Sequence, residues 1–172
     1  MKKYTFIKDD YVILPDKIKL YRIQRISDGL IGGYIEKEEN LSHEGECWVY
    51  DNAIVANNAI VHENAKVYGF AKIFDDAQIL GDARILSNAS IGREIKLDSS
   101  SYLCVEPIDD NEFLTIIPRQ NYISTGFWRG SIEKFIKQEL FPYEDTKYEK
   151  DCIRAIKYAF EQYGVEYNFI NE

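Results

Sequence analysis

The chain carries two histidines, His43 and His62, and three cysteines, Cys47, Cys104 and Cys152. His62 lies between Val61 and Glu63, where a neighbouring carboxylate could orient an imidazole as a general base. An ordinary exposed histidine accounts for the same residues. The cysteines form no CxxC pair and have no ligand partners nearby in sequence, and their odd number argues for a reducing, cytoplasmic setting rather than a disulfide framework. Gly32-Gly33 lacks the following lysine and the strand–helix context of a phosphate-binding loop. Asp75-Asp76 and Asp109-Asp110 lie between apolar strand residues and read as turns rather than metal ligands. Ser99-Ser100-Ser101 has no histidine within local reach. No nucleophile–base pair emerges, and neither a cofactor nor a metal is expected.

The elements that would position these residues are set by a repeat. Alanine recurs at Ala53, Ala59, Ala65, Ala71, Ala77, Ala83 and Ala89, six residues apart each time. Two residues after each stands a β-branched aliphatic: Val55, Val61, Val67, Ile73, Ile79, Ile85 and Ile91. Cys47 with Val49 extends the register backwards, and Ile95 with Leu97 extends it forwards. The last position of the unit is Asn52, Asn58, Asn64, Asp76, Asp82 and Asn88, broken once by Phe70. Six is not a helical period. Val and Ile favour strands, whereas Asn, Asp and Gly favour turns because they tolerate left-handed backbone. Such a chain coils, and each coil buries its aliphatics only by stacking on the next.

The pattern resembles the hexapeptide-repeat family, which implies a left-handed parallel β-helix with eighteen residues per triangular coil. On that reading the chain is mainly β, with a short β-helix of about three coils over residues 47–97. Val49, Val67 and Ile85 then form one column, Val55, Ile73 and Ile91 a second, and Val61 with Ile79 a third. Gly32-Gly33-Tyr34-Ile35-Glu36-Lys37-Glu38-Glu39-Asn40-Leu41-Ser42 and Trp48-Val49-Tyr50-Asp51-Asn52-Ala53 are similar to the GGWIEKEENLS lead-in of hexapeptide-repeat proteins from bacteria, prophages and phages. Tyr34 replaces the tryptophan. Thr125 to Phe135 resembles the TGCFxGTLEEF form of the C-terminal cap in the same proteins, with Phe127 and Trp128 in place of Cys-Phe.

Three segments follow from this. Residues 1–46 are expected to form a β-rich N-terminal cap and lead-in, with strands over Tyr4–Ile7, Tyr11–Leu14 and Ile18–Ile26 and turns at Lys8-Asp9-Asp10 and Pro15-Asp16. Residues 98–172 are expected to form an α+β cap ending in a helical hairpin. Tyr102–Val105 and Phe113–Ile117 pair across Ile108-Asp109-Asp110-Asn111, and a third strand lies near Tyr122-Ile123. Ser131 caps a helix running to about Leu140, which Pro142 stops. Thr146 and Glu149 make a capping box for a second helix, closed by Gly164.

The family resemblance implies acyl transfer as one activity, with a histidine as base, and His62 is the residue that would serve. The repeat run, however, contains no inserted loop. The resemblance also implies zinc-dependent carbonic anhydrase chemistry, which needs three histidines where this chain has two. The net charge of −8 disfavours direct nucleic-acid binding, since 29 acidic residues oppose 21 basic ones. No apolar run approaches the roughly 20 residues that span a bilayer, so no membrane partner is expected. The outward columns are more informative: Tyr50, Tyr68 and Leu86 in one, Ala56, Phe74 and Gly92 in another, and His62 with Leu80 in the third, with Phe70 at the broken turn. Together with Phe127 and Trp128 these aromatic and apolar residues mark surface that something covers. The expectation is a non-catalytic binding protein whose partner is itself or a host protein or ribonucleoprotein. The mobile-element resemblance points to an inhibitor of a host nuclease or antiviral defence complex, in the manner of an anti-CRISPR. Acyltransferase and homo-oligomeric scaffold are the alternatives.

Overall fold

The computed structural model describes residues 1–86, 88–101, 103–108, 112–125 and 128–168. The chain divides into two compact units, Met1–Ser101 and Tyr102–Glu172. In the first, β1 (Tyr4–Ile13), β2 (Lys19–Arg25) and β3 (Ile31–Ile35) form an antiparallel meander. Nine two-residue strands follow at six-residue intervals: β4 (Trp48–Val49), β5 (Ile54–Val55), β6 (Ile60–Val61), β7 (Lys66–Val67), β8 (Lys72–Ile73), β9 (Gln78–Ile79), β10 (Arg84–Ile85), β11 (Ser90–Ile91) and β12 (Lys96–Leu97).

Strands three hexads apart pair in parallel: β4 with β7 and β10, β5 with β8 and β11, β6 with β9 and β12. The aliphatic columns read from the repeat are therefore the real ones. Val49, Val55, Val61, Val67, Ile73, Ile79, Ile85 and Ile91 are all buried, as are the seven repeat alanines. Each buried Val or Ile contributes about 1.5–3 kcal/mol of transfer free energy. Only stacking of coil on coil provides that burial, because a two-residue strand has no partner within its own hexad.

The solenoid runs to about four turns rather than three. The additional coil is the lead-in. Tyr34 and Ile35 pair in parallel with Ile54 and Val55, and Leu41 bridges to Val61. Ile35, Leu41 and Val49 thus make the first coil, invisible to a strict six-residue count because twenty residues, not eighteen, separate Ile35 from Val55. Gly33 permits the stacking, since a Cβ there would lie 2.4 Å from the Ala53 carbonyl oxygen.

The corners also differ from the sequence expectation. Left-handed backbone falls on the fifth position of the unit, not on the Asn/Asp sixth: Asp51, Asn57, Glu63, Gly69, Asp75, Gly81 and Arg93 all have φ between 54 and 68°. Side chains at this position cap the following coil. Asp51 Oδ2 accepts from Gly69 N–H at 2.9 Å, Asn57 Oδ1 from Asp75 N–H at 3.2 Å, Glu63 Oε2 from Gly81 N–H at 2.6 Å, and Asp75 Oδ2 from Arg93 N–H at 2.7 Å. Glu36 Oε2 begins one ladder by accepting from Asn57 N–H at 2.6 Å. The sixth-position amides bond along the stack instead, Asn58 Nδ2 to Asp76 and Asn64 Nδ2 to Asp82, each at 3.1 Å.

Lys8-Asp9-Asp10, expected as a turn, lies within β1, where the pairing to β2 skips register between Ile7 and Tyr11. Three extra residues against β2 make this a bulge rather than a reversal. Past the bulge, Val12, Leu14, Ile18 and Leu20 pack with Tyr34, Ile54, Ala56 and Phe74. Arg22 fastens the meander to the coils. Its guanidinium donates to the Gly32 and Asp51 carbonyls at 2.9 Å and to Tyr34 Oη at 2.6 Å, and pairs with Asp10 at 2.7 Å.

In the second unit β13 (Cys104–Pro107), β14 (Phe113–Ile117), β15 (Tyr122–Ser124) and β16 (Arg129–Gly130) form an antiparallel meander. Tyr102 and the turn residues Asp109, Asp110 and Asn111 lie outside the described residues. Ser131 caps α1 (Ile132–Lys134), accepting from Lys134 N–H, but Phe135–Glu139 continues as a π-helix. The long helix α2 (Lys147–Gln162) starts at Thr146, whose Oγ1 accepts from Glu149 N–H at 3.2 Å. The Glu149 carboxylate reaches Asp145 N–H, one residue before the position a capping box uses. Gly164 at φ 58° closes the helix as a Schellman motif, with Gly164 N–H on the Glu161 carbonyl and Val165 N–H on the Phe160 carbonyl. Cys152, Ile156, Ala159 and Phe160 from α2 share a core with Leu114, Ile116 and Ile123 of the sheet.

Candidate functional site

His62 stands where the repeat places it, half-buried on an outer column. Its expected orienting partner is otherwise engaged. Glu63 Oε1 is 3.9 Å from His62 Nδ1, beyond hydrogen-bond distance, while Glu63 Oε2 holds the Gly81 N–H. The carboxylate that would steer a general base is a rung of the corner ladder.

His43, in the lead-in, is better tied. Its Nδ1 accepts the Lys3 backbone N–H at 3.1 Å and its Nε2 lies 2.7 Å from Glu38 Oε1. With Nδ1 accepting, Nε2 carries the proton and donates to Glu38. Both nitrogens are spent, so the ring is a staple between the first strand and the first coil. Tyr4 stacks on it at 4.5 Å and donates its hydroxyl to the Glu38 and Leu41 carbonyls, each at 2.9 Å. Burial and then the Glu38 charge push the Tyr4 phenol well above its ordinary range. Lys2 and then His43, bonding its oxygens, hold Glu38 below the usual carboxylate value.

Beside this staple Cys47 is buried, with Lys3 Nζ 3.1 Å from its Sγ. The same ammonium donates to the Cys47 carbonyl at 3.0 Å. The sequence offered no link between Lys3, His43 and Cys47, because the first strand returns to the start of the coils across forty residues. Cys104 and Cys152 are buried too, and burial pushes both thiols up to about 12. Neither is a nucleophile at neutral pH. Among the described residues no group of three or more His, Cys, Asp or Glu side chains is arranged to hold a metal ion.

The remaining sequence candidates part company. Phe74 packs beneath the residues that flank the β1–β2 turn. Trp128 packs against Phe135, ring centroids 5.4 Å apart, on the core of the second unit. Its indole lies over Gly130, where a Cβ would come within 2.5 Å of the ring. Phe127 lies outside the described residues. Leu80 is half-buried.

Tyr50, Tyr68 and Leu86, in contrast, line the outer side of the β4–β7–β10 sheet, one per coil. The two phenol rings stack face to face at 4.6 Å with only 8° between planes. Leu86 is 54% exposed, and Phe70, at the adjoining corner, is 60% exposed. Lys66 and Arg84 flank the column on the same strands. The Lys66 ammonium donates to the Glu46 carbonyl, and burial pulls it below the usual lysine value. Burial, and then Tyr68, raises the Tyr50 phenol. The arrangement is an aromatic and aliphatic strip along one face of the coils.

No protein-family model matches the chain, and no curated protein matches its sequence. Among the described residues no helix is long and apolar enough to cross a membrane.

Proposed function

We propose that the chain is a non-catalytic protein-binding module whose contact face is the strip of Tyr50, Tyr68, Leu86 and Phe70. The observation that carries this reading is the half-buried, stacked tyrosine pair in register with an exposed leucine one coil further on. Rigid aromatic surface loses little side-chain entropy on binding, and tyrosine adds a polar tip. The Ala56–Phe74 column has a cover within its own chain, whereas Leu86 and Phe70 of this strip are exposed.

The finer reading joins this face to the sequence resemblance. The chain is a left-handed hexapeptide-repeat protein of the phage, prophage and bacterial type, and it acts as an inhibitor of a host nuclease or antiviral defence complex. The test is copurification from a phage-related bacterial lysate with the wild type and with a Tyr68→Ala/Leu86→Asp variant, alongside light scattering of the purified chain. Recovery of one nuclease or defence complex by the wild type and not by the variant is the expected result. A stable homotrimer that recovers only itself, and that the variant breaks apart, would replace this reading with a scaffold.

A further inference from the structure

We propose a second, small-molecule site on the N-terminal meander, formed to hold a planar aromatic ring that bears an anionic group. A pocket of about 450 Å³ opens there, lined by Phe6 and Lys8 of β1, Lys19 and Tyr21 of β2, and Glu36 and Lys37 just after β3. Its volume falls in the range of small-ligand sites, about 300–1,000 Å³. It lies outside the strip proposed above and does not depend on that reading.

The charge of the pocket runs against that of the chain. Three ammonium groups face one carboxylate, in a protein of net charge −8. That carboxylate is already engaged, since Glu36 Oε2 takes the Asn57 N–H at 2.6 Å. Lys19 Nζ sits 3.6 Å above the Tyr11 ring centroid and 4.8 Å above that of Tyr21, an arrangement that positions the ammonium without neutralising it. Lys37 Nζ meets only the neutral amide oxygen of Asn58, at 3.2 Å. Among the described residues no carboxylate forms an ion pair with Lys8, Lys19 or Lys37. Asp10 pairs with Arg22 and Tyr34, and Glu38 with Lys2 and His43. Three cations against one carboxylate leave the pocket net positive, which raises the local concentration of anions.

The walls select the rest of the ligand. Phe6 and Tyr21 stand edge to face, ring centroids 5.9 Å apart at 70°, and both are half-buried. A flat ring fits against such a pair in offset or edge-on contact. An aryl phosphate or nucleoside monophosphate satisfies both halves of the site, with its ring on Phe6 and Tyr21 and its dianion among the lysines.

Isothermal titration of the full chain tests this with 5′-AMP as probe and with adenosine and inorganic phosphate as controls. AMP is expected to bind saturably with a Kd of about 0.1–1 mM, and each control at least tenfold more weakly, a difference of about 1.4 kcal/mol. Lys8→Glu and Lys8→Ala/Lys19→Ala should each weaken AMP at least tenfold while circular dichroism and melting stay those of the wild type. Lys8 is an exposed residue, so the single variant keeps the test open if the double one unfolds. Phe6→Leu should weaken AMP and leave the phosphate response unchanged. No saturable AMP signal up to about 10 mM, ten times the weakest expected Kd, overturns the proposal. So does unchanged affinity in a folded Lys8→Glu variant, and so does phosphate binding as tightly as AMP.

Discussion

Replacing Asp75 separates the two jobs done by the fifth position of the repeat. The carboxylate accepts the Arg93 N–H of the next coil at 2.7 Å, and the backbone of Asp75 itself is left-handed at φ 55°. Asp75→Ala removes the acceptor, about 1 kcal/mol net at an exposed position, and leaves an ordinary Cβ in the left-handed region at about 1 kcal/mol more. Asp75→Gly loses the acceptor but carries no left-handed penalty, so it should cost about 1 kcal/mol. Asp75→Asn keeps an acceptor oxygen and a residue that tolerates the conformation, and should stay within about 0.5 kcal/mol of wild type. The expected order of loss is therefore Asn, then Gly, then Ala, with Ala near 2 kcal/mol as the sum of those two figures. Urea unfolding followed by circular dichroism measures it, provided the denaturant slope is unchanged across the series. Two results refute the reasoning: an alanine variant within about 0.5 kcal/mol of wild type, or a glycine variant as unstable as alanine.

Gly33→Ala would drive a Cβ to 2.4 Å from the Ala53 carbonyl oxygen and 2.7 Å from Val49 Cγ1, so the first coil must part from the second. A loss of about 3 kcal/mol is expected in the same urea assay, and a near-neutral result contradicts the close stacking. Iodoacetamide at pH 8 should leave Cys104 and Cys152 unlabelled in the folded chain and label both in urea, read by mass spectrometry, because burial holds their thiols near 12. Asp28 is held at about 2 by the Arg25 guanidinium, below the ordinary aspartate value of about 3.9. A depressed carboxylate stabilises the fold above its unfolded pKa and loses that contribution as pH falls through the folded one. The stability gap between wild type and Arg25→Met should therefore widen from about pH 2 to about pH 4 and stay flat above, and a gap independent of pH across that window would exclude the pair as its source.

The solenoid was legible because its physics is local and periodic. Burial of Val49, Val67 and Ile85 follows from the six-residue spacing, and their sharing of one column from the eighteen-residue coil that the resemblance implies; the same holds for Val55, Ile73 and Ile91. The first coil was not legible, because Ile35 and Leu41 stack twenty residues before their partners, two more than the regular coil of eighteen. Which position of the unit turns the corner was not legible. Asn and Asp at the sixth position look like turn formers, yet the left-handed backbone is carried next door, even by Glu63, whose carboxylate accepts the Gly81 N–H of the next coil, and by Arg93, whose own backbone N–H is held by Asp75 of the coil before. That reward is non-local, and propensity does not contain it. The outer strip was half legible. The repeat placed Tyr50, Tyr68 and Leu86 outside, but which outer columns the chain itself covers depends on where the N-terminal meander packs, and no periodicity encodes that. Nor does the sequence join Lys8, Lys19 and Lys37, which lie on three segments that only the meander brings to one pocket.

The corner ladder also has a direction. In all four rungs from Asp51, Asn57, Glu63 and Asp75 the acceptor side chain comes from the earlier coil and the N–H from the later one. A chain emerging from the ribosome therefore meets an acceptor already in place whenever a new coil arrives, so winding is templated from the amino end. Removing the last coil strips these donors from the corner side chains and also takes away carbonyls that the coil before it uses, as Lys72 N–H meets the Ala89 carbonyl and Gln78 N–H the Ile95 carbonyl, each at 2.8 Å. Removing the first coil takes the side-chain acceptor from the corner N–H of the next, as Glu36 serves Asn57. The molecule has a start and a finish as well as a shape.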